Sequence, residues 1–209
     1  LLRRICEFNQ LTKSGKRAFK NAVSLRSKKI GLIGFGAIGR ETAKRLKAFD
    51  CSLLSYDPYI KMQDYLESEV KFCTLDNLLR ESDVVSLHIP ITPKTKNIVN
   101  KSFISKMKKG AVLINTARGE LIDQDAVVQA LESGHLGGLA LDVYDKELPD
   151  DANNPLFAFD QVIASPHCGA HTDDAMNTMG RMALNSCLTA LNGEKPNHII
   201  NPEVWNGDN

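Results

Sequence analysis

Between residues 29 and 164 the chain repeats one pattern. A short apolar run is followed by a stretch in which apolar positions recur every three or four residues. Short runs that are almost continuously apolar suit strands covered on both faces. They predict strands at Lys29–Gly34, Ser52–Tyr56, Val70–Cys73, Val84–Ile89, Ala111–Asn115, Gly138–Val143 and Val162–Ala164. The intervening periodicity predicts helices at Ile38–Phe49, Leu75–Glu81, Lys101–Met107 and Gln124–Glu132, the last with Asp123 as N-cap and Gly134 behind it. Leu1, Ile5 and Phe8, with Leu2 and Cys6 beside them, predict an amphipathic leading helix over residues 1–15. A long final helix, Asp173–Leu191, has Thr172 as N-cap, acids in its first turn and Asn192-Gly193 at its end. Beyond it, Pro196, Pro202 and Asn206-Gly207 read as loop. Strict alternation of strand and helix predicts a doubly wound parallel sheet, a three-layer αβα fold of the Rossmann type. That domain would cover residues 1–193, with 194–209 a tail leading toward a further domain.

Composition narrows the setting. Of 209 residues, 26 are Lys or Arg and 25 are Asp or Glu, a formal net charge of +1 with both signs interspersed. Without a basic stripe, nucleic-acid binding is not expected. No apolar run approaches the roughly 20 residues of a membrane span. The five cysteines lie apart with no C-x-x-C pair, which suits reduced thiols in the cytoplasm better than a disulfide frame or a zinc site. The opening Leu1-Leu2-Arg3-Arg4 has no features of a signal peptide, and a chain that begins inside a helix reads as a piece of a longer protein.

Chemistry enters at the end of the first strand. Gly34-Phe35-Gly36-Ala37-Ile38-Gly39 is a G-x-G-x-x-G turn between a strand and a helix. The first glycine permits the tight turn and the second lets backbone amides approach a pyrophosphate. The third lets helix and strand pack closely, with the helix N-terminus facing the anion. Asp57 stands at the end of the second strand, where a carboxylate accepts the ribose hydroxyls and repels a 2′-phosphate. The ligand expected is therefore NAD rather than NADP.

Three more strand ends carry polar groups: Asn115-Thr116-Ala117-Arg118, Asp142 and its following acids Asp145 and Glu147, and Ser165-Pro166-His167. Open α/β sheets place ligands at such ends. In order and spacing, GFGAIG, Asp57, LHIPITPKTKNIVN (Leu87–Asn100), NTARGELID (Asn115–Asp123), LDVYDKELP (Leu141–Pro149) and SPHCGAHT (Ser165–Thr172) resemble the D-2-hydroxyacid dehydrogenase family, which includes D-3-phosphoglycerate, D-lactate and glyoxylate/hydroxypyruvate enzymes. The PNHIINPEVW ending (Pro196–Trp205) is similar, more weakly, to the phosphoglycerate-type members.

The resemblance implies roles. His167 is the proton donor and acceptor, an imidazole with an ordinary pKa of about 6.5 suiting both directions. Arg118 binds the substrate carboxylate and the C2 oxygen. Glu147 orients His167, with Asp145 the alternative where relatives commonly have Glu-Pro and this chain has Glu147-Leu148. Asp142 faces the nicotinamide carboxamide. Ala37, Ile38, Ile89, Pro90, Thr116, Ala117 and Gly169 line the cofactor beside Gly34, Gly36, Gly39 and Asp57. No metal is expected, since Pro166 and Gly169 make the His167–His171 stretch a loop. Cys168 is a bystander for want of a base partner. The substrate is a 2-keto or 2-hydroxy acid, and a homodimer is implied. A second, smaller domain built mainly from preceding sequence would complete the active site, so this chain is expected to bind NAD(H) but turn over keto acids poorly. An NAD-sensing corepressor on the same fold is the alternative. A formate dehydrogenase is disfavoured, because those relatives tend to have Gln where Glu147 stands.

Overall fold

The side chains that point alternately up and down from the strands sort themselves into two apolar layers. Ile33, Leu54, Val85, Leu87, Leu113, Leu139 and Leu141 pack on one side of the sheet, and Ile30, Leu32, Leu53, Val84 and Val112 on the other. This is the period-two geometry of a sheet buried on both faces. The computed structural model describes residues 1–17, 21–60, 69–145, 153–197 and 199–205, in two units, Leu1–His167 and Cys168–Asn209.

In the first unit the described strands are β1 (Lys29–Ile33), β2 (Ser52–Tyr56), β3 (Val70–Phe72), β4 (Val84–Leu87), β5 (Ala111–Asn115), β6 (Leu136–Leu141) and β7 (Val162–Ala164). They form one sheet in the order β3-β2-β1-β4-β5-β6-β7, and every neighbouring pair is parallel. The order reverses between β1 and β4, the topological switch point at which doubly wound sheets open a crevice. Helices α3 (Leu75–Glu81), α4 (Lys101–Lys106) and α5 (Gln124–Glu132) bury Leu78, Leu79, Phe103, Ile104, Val127 and Leu131 in the first layer. Helix α2 (Ala37–Leu46) adds Ala43 to the second, where Leu1 and Leu2 also pack, just ahead of α1 (Ile5–Lys13). The second unit holds α6 (Asp173–Leu191) and a 3-10 turn at Pro202–Trp205. Among the described residues no helix is long and apolar enough to cross a membrane.

Strands β1, β3 and β4 and helix α4 end one or two residues earlier than expected, and other differences have a local cause. Strand β6 runs from Leu136 to Leu141 rather than Gly138 to Val143: Gly137 lies against the Gly110 carbonyl, so close that a Cβ would sit 2.3 Å from its oxygen. A glycine chosen for close approach carries no apolar signal, which hides the strand's start. Helix α2 gives way to a 3-10 turn at Lys47–Phe49, ended by Asp50 in the left-handed region. Helix α1 begins at Ile5 because Arg4 is left-handed (φ 52°). The tail read as loop contains the Pro202–Trp205 turn.

His88, one residue past β4, lies under the glycine-rich turn, its carbonyl crowding Gly34 and its Cβ facing Gly39. Burial strips water from its ring and pulls the pKa down to about 4, and its Nε2 is buried with no hydrogen-bond partner among the described residues. The ring is thus neutral when folded and titrates near 6.5 when unfolded. The unfolded state gains protons first, so this contribution to stability is complete above about pH 7 and is lost as pH falls from 6.5 toward 4. Thermal melts from pH 7 to pH 5 should show a loss on the order of 2 kcal/mol from this group. His88→Asn should flatten that part of the profile; an unchanged slope would assign the effect elsewhere.

Candidate functional site

Hydrogen-bond register puts one residue from each of six strands on a single row: Tyr56, Ile33, Leu87, Asn115, Leu141 and Ala164, from β2 across to β7. The residues just past this row are Gly34, Asp57, Ile89, Pro90, Thr116, Ala117, Arg118, Asp142 and His167. Apart from Glu147 and Gly169, and from Gly36–Gly39, which continue from Gly34 into α2, they are all of the expected site. Residues scattered over more than a hundred positions thus share one edge of the sheet.

At β1 the Gly34 amide donates to the Tyr56 carbonyl (2.8 Å) and the residue turns with φ +93°. A Cβ there would stand 2.5 Å from the His88 oxygen, and one at Gly39 would stand 2.3 Å from the Gly34 oxygen, so helix α2 seats directly on the turn. At Gly36 a Cβ would meet nothing within 4 Å: this side of the turn faces open space. Gly36, Ala37 and Ile38 are exposed. The helices α3, α4, α5 and α6 each have a side chain accepting from a first-turn amide, namely Thr74, Asn100, Asp123 and Thr172. Helix α2 has no such side-chain cap and no acid in its first turn. Its first amides and positive dipole end are left for an external anion, which suits a pyrophosphate.

Asp57 is held at the mouth by two amides, Oδ2 accepting from Phe35 N and Oδ1 from Tyr59 N, both at 2.9 Å. The carboxylate is thereby pre-oriented beside the turn. Ile89 lies against Gly34, and the exposed Pro90 has its carbonyl bonded by the Thr95 hydroxyl (2.8 Å).

At β5, fully buried Asn115 clamps the loop that carries the cation. Its Oδ1 accepts from Ala117 N (3.0 Å) and its Nδ2 donates to the Arg118 carbonyl (2.7 Å). Thr116 and the Arg118 side chain are exposed, with Arg118 Nη1 donating to the Ala117 carbonyl (2.6 Å). At β6, buried Asp142 accepts from the Ser165 hydroxyl (2.6 Å) through Oδ1, tying it to the end of β7. His167 follows, exposed and left-handed (φ 53°), its amide donating to the Ser165 carbonyl (3.0 Å). Arg118 and His167 each lie three residues past the common row, on strands that flank β6 and are therefore about 10 Å apart.

Glu147 lies outside the described residues, and Asp145 is exposed on the loop after β6. Gly169 falls in the second unit, within a turn where His171 N donates to the Cys168 carbonyl (2.9 Å). The clamp Asn115 and the tether Ser165 were not singled out from sequence. An Asn at a strand end before a turn is the signal that points to the first.

Residues 1–169 match the family described as D-isomer specific 2-hydroxyacid dehydrogenase, NAD binding domain. The chain is 40% identical to glyoxylate reductase of Thermofilum pendens over 97% of this chain and 61% of that protein. It is 38% identical to D-3-phosphoglycerate dehydrogenase of Methanocaldococcus jannaschii, over 89% of this chain and 35% of that one. The structure of D-lactate dehydrogenase from Aquifex aeolicus, solved with NAD and lactic acid, superposes with a TM-score of 0.85 at 32% identity, covering 93% of this chain and 63% of that one. The chain thus spans less than two thirds of each of these relatives.

The turn geometry makes a paired prediction. Gly39→Ala should cost about 1–3 kcal/mol by overpacking, a fall of several degrees in Tm. Gly36→Ala, with open space before it, should lower Tm by less. Calorimetry of both variants checks the ranking, and equal losses would contradict the close packing at Gly39.

Proposed function

The chain belongs to the D-isomer specific 2-hydroxyacid dehydrogenase family as an NAD binding domain, and on that premise we propose that the whole protein interconverts a small 2-keto acid and its D-2-hydroxy acid, of glyoxylate, hydroxypyruvate or 3-phosphoglycerate type. The carrying observation is the shared edge on which Arg118, Asp142 and His167 follow adjacent strands β5, β6 and β7 beside the anion-receptive start of α2. The likeness to glyoxylate reductase and D-3-phosphoglycerate dehydrogenase supports the substrate class.

NAD supplies the hydride acceptor and donor at its nicotinamide ring when bound. The amides of α2 and Gly36 hold the pyrophosphate, and Asp57 takes the ribose hydroxyls. Ala37, Ile38, Ile89, Pro90, Thr116, Ala117 and Gly169 line the cofactor, and Asp142 faces the carboxamide. Arg118 pairs with the substrate carboxylate and steadies negative charge as it develops on the C2 oxygen. His167 gives its proton to that oxygen in reduction and takes it back in oxidation. Glu147, or Asp145, orients the imidazole. Residues 1–193 form the cofactor domain, with 194–209 leading toward a substrate domain that completes the site. Thiols outside any disulfide at Cys6, Cys51, Cys73 and Cys187 support a reducing, cytoplasmic setting. A homodimer is the assembly we favour, on the exposed face of α1.

The test is a panel of 2-keto acids with NADH on the full-length protein. His167→Ala should lower kcat by roughly 10²–10⁴-fold with little effect on NADH binding. Wild-type turnover in that variant would remove His167 from the chemistry. Asp57→Ala should weaken NADH binding roughly tenfold or more while leaving NADPH binding nearly unchanged; fluorescence titration reads both, and an equal loss for the two would discard Asp57 as the discriminating residue.

A further inference from the structure

Tyr144, two residues beyond Asp142, belongs to neither of the roles above, yet it touches both loops that carry the proposed chemistry. Its hydroxyl donates to the Ser165 carbonyl (2.9 Å), and that same carbonyl accepts from His167 N (3.0 Å). The Ser165 hydroxyl in turn bonds Asp142. The three-residue turn Ser165-Pro166-His167 that throws His167 into the left-handed region is therefore held at its first carbonyl by a phenol from outside the turn. A non-glycine residue in that region is costly and persists only where its surroundings over-determine it. On its other side Tyr144 meets the cation loop. A Cβ on Gly119, the residue after Arg118, would stand 1.9 Å from the Tyr144 carbonyl carbon, so the two backbones are stacked without room for a side chain. The ring is steadied edge-on by Phe157, with centroids 6.0 Å apart and planes at 82°.

The geometry points to Tyr144 as a positioning residue that sets the attitude of His167 relative to Arg118, an inference that rests on the dehydrogenase reading of those two residues. The phenol is needed rather than a phenyl ring, because only the hydroxyl reaches the Ser165 carbonyl. Its backbone fixes the distance to the Arg118 loop and its hydroxyl fixes the turn.

Tyr144→Phe removes the hydroxyl and keeps the ring on Phe157. In this chain, the ring resonances of His167, assigned with His167→Gln, should shift in the variant, whereas those of the distant His135 and the affinity for NADH stay unchanged. In the full-length protein kcat for keto-acid reduction should fall about tenfold, with the KM for NADH unaltered and the pH profile of kcat/KM displaced. A His167 spectrum and pH profile identical to wild type would overturn the assignment, as would parallel losses in kcat and NADH affinity, which mark a merely structural role. Absence of keto-acid turnover in the wild type would sink the dehydrogenase reading instead, and the His167 resonances would still decide whether Tyr144 positions the imidazole.

Discussion

The lateral hydrogen bonds that align Tyr56, Ile33, Leu87, Asn115, Leu141 and Ala164 set the level from which nearly every functional group is measured. A parallel sheet sends all its strands out at one edge, and a shared register makes that edge level. Gly34 and Asp57 leave it by one residue, Asp142 by one, Arg118 and His167 by three. A one-residue slip in any strand would exchange its two faces and move its functional residue out of line. Burial on both faces, with Leu32, Val85, Leu87, Leu113 and Leu139 fully enclosed, makes such a slip costly.

Past that edge the chain is held by single polar side chains. Asn115 folds the Arg118 loop back on itself, Ser165 ties β7 to Asp142, and the Tyr144 hydroxyl secures the turn at His167. Each adds a hydrogen bond to a backbone or side-chain group just past the strand ends. The side chains that they place, Arg118 and His167, remain exposed. Helix α2 shows the opposite economy: it alone among α2 to α6 lacks a side-chain cap, and its first amides stay available.

His88 links these two regions of the molecule. It is packed between β4 and the glycine turn, neutral because burial denies its charge hydration, and the turn's conformation depends on its carbonyl and Cβ lying where Gly34 and Gly39 leave room.

Hydrophobic period and glycine spacing carried the doubly wound fold, the tight turn at Gly34, Gly36 and Gly39, and the positions of Asp57, Arg118 and His167 just past strand ends. These are legible because burial on two faces and tight turns restrict residue type locally, whatever lies elsewhere in the chain. The start of β6 was not legible, since Gly137 is chosen for contact with Gly110, a neighbour distant in sequence. The same holds for Asn115, Tyr144 and Ser165 as supports. A hydrogen bond between β6 and β7, or a backbone stacked on Gly119, exists only once register has brought the strands together. Sequence by itself determined which groups stand at the edge of the sheet; tertiary structure decided what holds them there, because those partners meet only through the sheet's long-range pairing.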